Sequence, residues 1–232
     1  MQWGKMAAAA VAVAFIAAAP ASALVIDTFD TPQLVTDPPA GGNPTASELA
    51  APEVIGGYRD MFVDTNGNGT TLEVIGGQLG FSNNFRTTGS ASLTYDGMDN
   101  DPFLVNTTGL NGFNLVTGAD PFFLFDVDFF DVGGLTVNIQ VWDMFGNSGT
   151  YSETLTAALN PRLFFSEFSG DVDFTQVGAI QFMVSSDQPN LDGALNAITV
   201  SAIPQAVPVP AAAFLLVGAV GGLGALRLRR KS

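Results

Sequence analysis

Leu135-Thr136-Val137-Asn138-Ile139-Gln140-Val141-Trp142 carries the clearest periodicity in the chain. Leu135, Val137, Ile139 and Val141 fall on one side; Thr136, Asn138, Gln140 and Trp142 fall on the other. Such alternation describes a strand with one face in a core and one face toward solvent. The turn residues Asp143-Met144-Phe145-Gly146-Asn147 follow, and Thr150 to Thr156 alternates again, which predicts a hairpin. The same reading extends outward in both directions. Upstream, Leu24 to Asp30 reads as a first strand. Ser90 to Tyr95 alternates, with Ala91, Leu93 and Tyr95 on one face. Pro121 to Phe130, with Phe122, Phe123, Phe125, Phe129 and Phe130, reads as a buried strand turning at Gly133-Gly134. Downstream, Leu163 to Phe165 is a short strand, and Asp173 to Val177 predicts one helical turn with Asp173 as N-cap. Ala179 to Ser185 buries Ile180, Phe182 and Val184, and Ala194 to Ser201 turns Ile198 and Val200 inward.

Two stretches break the pattern. Thr31 to Pro52 holds five prolines and Gly41-Gly42, and predicts an irregular loop. Glu53-Val54-Ile55-Gly56-Gly57 recurs as Glu73-Val74-Ile75-Gly76-Gly77, which predicts two similar strand-turn units. The sum is ten to twelve short strands, many Gly/Asn/Asp turns and no amphipathic helix. The expected fold class is all-β, a jelly-roll-like β-sandwich over residues 24–203, flanked by an N-terminal signal helix and a C-terminal hydrophobic helix.

The ends of the 232-residue chain read as addresses. Lys5 supplies a positive n-region, Met6 to Ala19 an apolar h-region, and Ala21-Ser22-Ala23 a small-x-small site after Pro20. Residues 1–23 are expected to be a secretory signal peptide cut after Ala23. At the other end, residues 204–232 hold Val207-Pro208-Val209-Pro210-Ala211, an uncharged run from Ala211 to Leu226, and a basic stop of Arg227, Arg229, Arg230 and Lys231. The run has 16 residues, about 24 Å as a helix, short of the roughly 30 Å hydrocarbon core. It would span with bilayer thinning or snorkelling arginines, its basic end cytoplasmic. Proline fixes φ and removes a donor, so the Val-Pro-Val-Pro-Ala motif stays extended and accessible to a protease.

Between the two ends stand all 22 carboxylates and only Arg59, Arg86 and Arg162 as cations, a formal balance of −19. That surface repels phosphate backbones and excludes nucleic acid as a partner, while it suits divalent cations. The chain has no Cys and no His. An exported body without disulfides must hold by its core or a bound metal. The absence of His removes the usual general base, the common zinc ligand and the Ser-His triads.

The tail resembles the VPLPA-CTERM sorting signal, a variant of the PEP-CTERM signals of Gram-negative bacteria, over about 26 residues from Val207 to Ser232. Val207, Pro208, Pro210 and Ala211 match, and Val209 stands where the family usually has Leu. The resemblance implies that signal peptidase and an exosortase process the chain. It would be exported by the Sec route, held transiently in the inner membrane, then placed on the cell surface or released. A second resemblance covers about 40 residues. Phe164-Phe165-Ser166-Glu167-Phe168, the segment Val172 to Phe182 and Asn196-Ala197-Ile198-Thr199-Val200 look like the C-terminal half of galactose-binding-like jelly rolls. It implies fold rather than function.

Calcium is the one candidate cofactor, with two candidate sites. Asp64-Thr65-Asn66-Gly67-Asn68-Gly69 matches the first half of a calcium loop, with Asp64, Asn66 and Asn68 as ligands. Its twelfth position is Ile75, however, and Asn/Gly turns between strands produce the same string. Asp96, Asp99 and Asp101 crowd three carboxylates into one turn, which a cation or plain solvation would relieve. Trp142, Tyr58, Tyr95 and Tyr151 would serve as a sugar-stacking platform or cover the edge of the core. No spacing singles out a carboxylate pair for glycoside hydrolysis. The functional expectation is a non-enzymatic cell-surface or extracellular-matrix protein associated with exopolysaccharide. The alternative is a secreted carbohydrate-binding module or glycan-active enzyme.

Overall fold

The computed structural model describes residues 23–203 other than 68, 131–133, 156–159 and 187, and the side chain of Phe130 is likewise outside the description. In chain order the strands are β1 (Leu24–Asp27), β2 (Gln33–Asp37), β3 (Ala46–Ala50), β4 (Tyr58–Asn66), β5 (Thr70–Ile75), β6 (Gln78–Asn83), β7 (Thr88–Tyr95), β8 (Pro121–Phe130), β9 (Leu135–Asp143), β10 (Ser148–Leu155), β11 (Arg162–Phe164), β12 (Ser169–Gly170), β13 (Val177–Ser186) and β14 (Asp192–Ala202). They form two seven-stranded sheets. The first runs β11-β8-β14-β6-β5-β2 with β1 also on β14; the second runs β12-β10-β9-β13-β7-β4-β3. The strand pairings are antiparallel, and the body is a jelly-roll-like β-sandwich.

The alternation in β9 becomes its burial, with Leu135, Val137, Ile139, Val141 and Asp143 buried and the residues between them half-exposed. The expected hairpin with β10 forms in register from Ser148 opposite Trp142 to Leu155 opposite Leu135. Asp143 closes its turn. It accepts the Phe145 and Asn147 N–H groups at 2.8 and 3.0 Å and, from the connection before the neighbouring β13, the Asp173 N–H at 3.0 Å. Burial pushes the Asp143 carboxyl up, but these bonds and the Asn147 amide outweigh it and hold the carboxyl below the ordinary aspartate range.

Inward residues of both sheets make one core. Phe123 sits at its aromatic centre, 4.9 Å from Phe165 and 5.3 Å edge-on to Phe182 between ring centroids, and Phe165 stacks on Phe174 at 4.1 Å. A small apolar cavity of about 70 Å³ remains between the sheets beside Leu72, Phe81 and Phe182. Its wholly hydrocarbon lining offers a polar ligand no hydrogen bond.

Several sequence expectations are corrected. The stretch from Thr31 to Pro52 is not one irregular loop, because it holds β2 and β3. Their prolines lie outside the strands: Pro32 and Pro38 bracket β2, and Pro44 and Pro52 flank β3. Both are edge strands, where proline is tolerated. The repeated pentapeptide takes two conformations. Ile55–Gly57 forms a 3-10 turn, whereas Gly76 and Gly77, at φ 62° and 81°, make the two-residue turn joining β5 to β6. Phe129 is 46% exposed rather than core. Asp173 heads a turn instead of a helix: its carboxylate accepts the Thr175 N–H and hydroxyl, and β13 begins at Val177. Gly133, Ala21, the sorting motif Val207–Ala211, the 211–226 segment and the basic stop lie outside the described residues. Among the described residues no helix is long and apolar enough to cross a membrane.

Candidate functional site: a cleft and a carboxylate cluster on the outer face of the second sheet

Strand register lays polar side chains in rows across the outer face of the second sheet. One row is Glu48, Asp60, Thr94, Gln181, Gln140 and Thr150, each opposite the next on the neighbouring strand. The Gln181 amide donates to Thr94 Oγ1 at 3.0 Å, which fixes it along the row. The adjacent row is Phe62, Ser92, Met183, Asn138 and Ser152. Over these rows lies a cleft of about 440 Å³. Ser90, Ser92, Asn138, Gln181 and Ser185 supply hydroxyl and amide groups, and Phe62, Pro102 and Phe103 supply an apolar wall. Phe62 and Phe103 meet edge-to-face at 5.8 Å, and Phe103 is 64% exposed.

Pro102 and Phe103 come from the loop between β7 and β8, and local geometry holds that loop in place. Asp101 accepts the Phe103 N–H at 3.1 Å, and Asp99 accepts the Asp101 N–H at 2.9 Å. Glu48 accepts the N–H groups of Asp99 and Asn100 at 3.0 and 2.8 Å. Further on, the loop backbone lies against the start of β13, where Leu110 donates to the Gly178 carbonyl at 2.8 Å. That approach requires bare backbone: a Cβ at Gly109 would overlap the Asp96 carbonyl, and one at Gly178 the Thr107 carbonyl.

At one end of the first row the carboxylates converge. Oxygens of Glu48, Asp60 and Asp99 lie within 4.8 Å of one another. Asp60 is 2% exposed and Asp96 fully buried. Neither Asp60 oxygen receives a hydrogen bond from an N–H or hydroxyl group, and the group within hydrogen-bonding reach is the Asp96 carboxyl. Asp96 accepts the Asn106 N–H at 2.7 Å through Oδ2, while its Oδ1 receives no N–H or hydroxyl donor. Burial, reinforced by Asp96, Glu48 and Asp99, pushes the Asp60 carboxyl up to about 8. Burial also pushes Asp96 up to about 6, against the pull of the Asn106 N–H. Arg59 cannot neutralise them, because strand alternation turns it to the opposite face, where it pairs with Asp27 at 2.9 Å.

The structure thus brings together part of what the sequence suggested. Asp99 is in the cluster and Asp96 beside it. Asp101 instead holds the loop backbone. Asp64 and Asn66 are exposed at the end of β4, and Asn68 is outside the described residues. The twelve positions counted from Asp64 run from β4 in the second sheet to the end of β5 in the first. Sequence reading missed Glu48, hidden in the proline-rich stretch, and Asp60. The available signal was the adjacent pair Arg59-Asp60 directly before the apolar Met61-Phe62-Val63. Among the stacking candidates, Tyr95 is buried and donates to Asp27 at 2.8 Å. Tyr151 packs on Phe168, and its hydroxyl donates to Glu153. Trp142 is half-buried on the outer face and Tyr58 half-buried on β4. The cleft's aromatic wall is Phe62 and Phe103 instead.

No family model matches this chain, and none of the curated proteins matches it by sequence. Similar solved structures include an agarase, at 10% identity and TM-score 0.43, covering 80% of this chain and 25% of that one. The module TmCBM61, solved in complex with β-1,4-galactotriose, shows 13% identity and TM-score 0.31, covering 74% of this chain and 88% of its own. A family 11 carbohydrate-binding module of a Clostridium thermocellum cellulase shows 10% identity and TM-score 0.34, with coverages of 80% and 97%. This chain spans about a quarter of the length of the agarase.

Proposed function

We propose that this is an exported, non-enzymatic surface or matrix protein that binds extracellular polysaccharide in the outer-face cleft. The observation that carries this reading is the cleft's two-part lining, a floor of serine, asparagine and glutamine groups beside a wall of Phe62 and Phe103. Sugars need that combination: ring C–H faces pack on aromatics, and hydroxyls exchange hydrogen bonds with amides and hydroxyls. The volume falls in the range of about 300–1,000 Å³ typical of small-ligand sites. No carboxylate is among the described residues lining the cleft. Glycoside hydrolysis takes two carboxyls flanking the bond, so the cleft favours binding over cleavage. The terminal signals supply the route: signal peptidase cuts after Ala23, and an exosortase cuts near Val207–Ala211 and frees the body from the membrane.

Affinity electrophoresis of the mature protein in gels containing the host's exopolysaccharide tests the binding. Retardation is expected, and it should weaken in Phe103→Ala and Gln181→Ala. Equal mobility with and without glycan would overturn it, and release of reducing ends would replace binding with catalysis. Intact mass measured with and without the host's exosortase tests the processing, and an unchanged mass would sink it.

A further inference from the structure

We propose that Glu48, Asp60, Asp96 and Asp99 form a divalent-cation site, of a chemistry that selects calcium, which ties β3, β4 and the loop after β7 together. The convergence of carboxylates alone would suit a solvated acidic patch. Asp60 does not fit that description. It is 2% exposed, neither of its oxygens receives an N–H or hydroxyl donor, and one lies within 4.8 Å of oxygens from Glu48 and Asp99. Asp96, fully buried, adds a third oxygen without such a donor. Glu48 stands directly opposite Asp60 on the paired strand, an arrangement that destabilises a sheet when both are charged. A buried charge calls for a partner, and the arginine next in sequence points the other way. The donors are all carboxylate oxygens, hard ligands of variable reach, as calcium accepts and zinc does not favour.

Glu48 already holds the Asp99 and Asn100 N–H groups, so a cation between Glu48, Asp60 and Asp99 would clamp the loop at its root. Four residues beyond Asp99 that loop carries Phe103, the cleft wall. Calcium would therefore set the wall's position, a consequence that rests on the glycan reading above; the cation site itself does not.

Calorimetric titration of calcium chloride into EDTA-treated mature protein, with thermal unfolding alongside, tests the site. A single saturable calcium site and a Tm raised by calcium are expected. Asp60→Asn should lose both responses. In EDTA at pH 8 or above it should unfold no lower than the wild-type temperature, because there it removes a buried charge with no donor. Asp99→Asn, in the loop, should lose the same responses and keeps the test alive if Asp60→Asn fails to fold. No calcium heat with an unchanged Tm would overturn the proposal and leave a proton shared between Asp60 and Asp96. Calcium binding retained by both variants would also overturn it. Glycan retardation in the same samples separates the two proposals. Protein that binds calcium at this site but no glycan fails the proposed function alone, and protein that binds glycan without any calcium response fails the cation site alone.

Discussion

Arg59 and Asp60 are neighbours in sequence and face opposite sides of β4, and the two sides solve the same problem differently. On the core side Arg59 is fully buried with Asp27. Its Nη1 donates to both Asp27 oxygens, its Nε to Gln33 Oε1 at 2.9 Å, and its Nη2 to the Thr31 carbonyl. Asp27 also accepts the Phe29 N–H at 2.7 Å and the Tyr95 hydroxyl at 2.8 Å. Burial still pushes the Asp27 carboxyl above the usual range, with Arg59 and these bonds pulling it back. On the outer side Asp60 is equally hidden and has no such shell. One buried carboxyl is answered by an arginine, a tyrosine and a backbone N–H, and the other has further carboxyls around it. The difference shows that burial alone does not tell a structural carboxylate from a ligand; the count of its partners does.

The largest expected effect comes from breaking the satisfied side. Arg59→Ala leaves Asp27 buried without its cation, and should cost about 3–5 kcal/mol in denaturant unfolding. A loss within surface-mutation range would show that the pair is dispensable. The unsatisfied side should respond with the opposite sign. In EDTA at pH 8, Asp60→Asn should raise stability by about 1–3 kcal/mol by removing an unpartnered buried charge. The pH dependence follows. Asp60 titrates near 8 in the fold against 3.8 as its ordinary value, so the folded state holds the proton more tightly. That contribution is full below the ordinary value and is lost as pH rises toward 8, so wild-type stability in EDTA should fall across this window. Asp60→Asn should flatten the slope, and a rising wild-type slope would contradict the assignment.

Asp143 should behave in reverse. Its carboxyl is held below 3.8, so its stabilising contribution is present above that value and is lost as acid protonates it. Asp143→Asn should shed that acid limb in a pH series of Tm values. Smallest in stability is Phe103→Ala, at an exposed wall, expected within about 0.5 kcal/mol of wild type. Its glycan affinity should nonetheless fall by about 0.5–1.5 kcal/mol, the scale of one aromatic contact.

Much of the sandwich was legible in side-chain alternation. Leu135 to Val141 predicted both its faces, and Asp143 to Asn147 predicted its turn. The proline-rich stretch hid β2 and β3, because what makes them strands is pairing with β5 and β4 rather than their own composition. Of the cluster, Asp96 and Asp99 announced themselves by proximity in sequence. Glu48 did not, since it reaches Asp99 across 51 positions.

The sequence by itself determined the acidic body, the absence of His and Cys, and the apolar face of strands such as Leu135 to Val141, and it carries the expectation of two terminal addresses. These are local or additive properties, readable from neighbours or counts. Only the tertiary structure decided that Asp60 lies opposite Glu48, that Arg59 turns to Asp27, and that Phe103 closes over Phe62. Those meetings depend on strand register and on where a long loop returns, and the chain specifies both only when all its strands have paired.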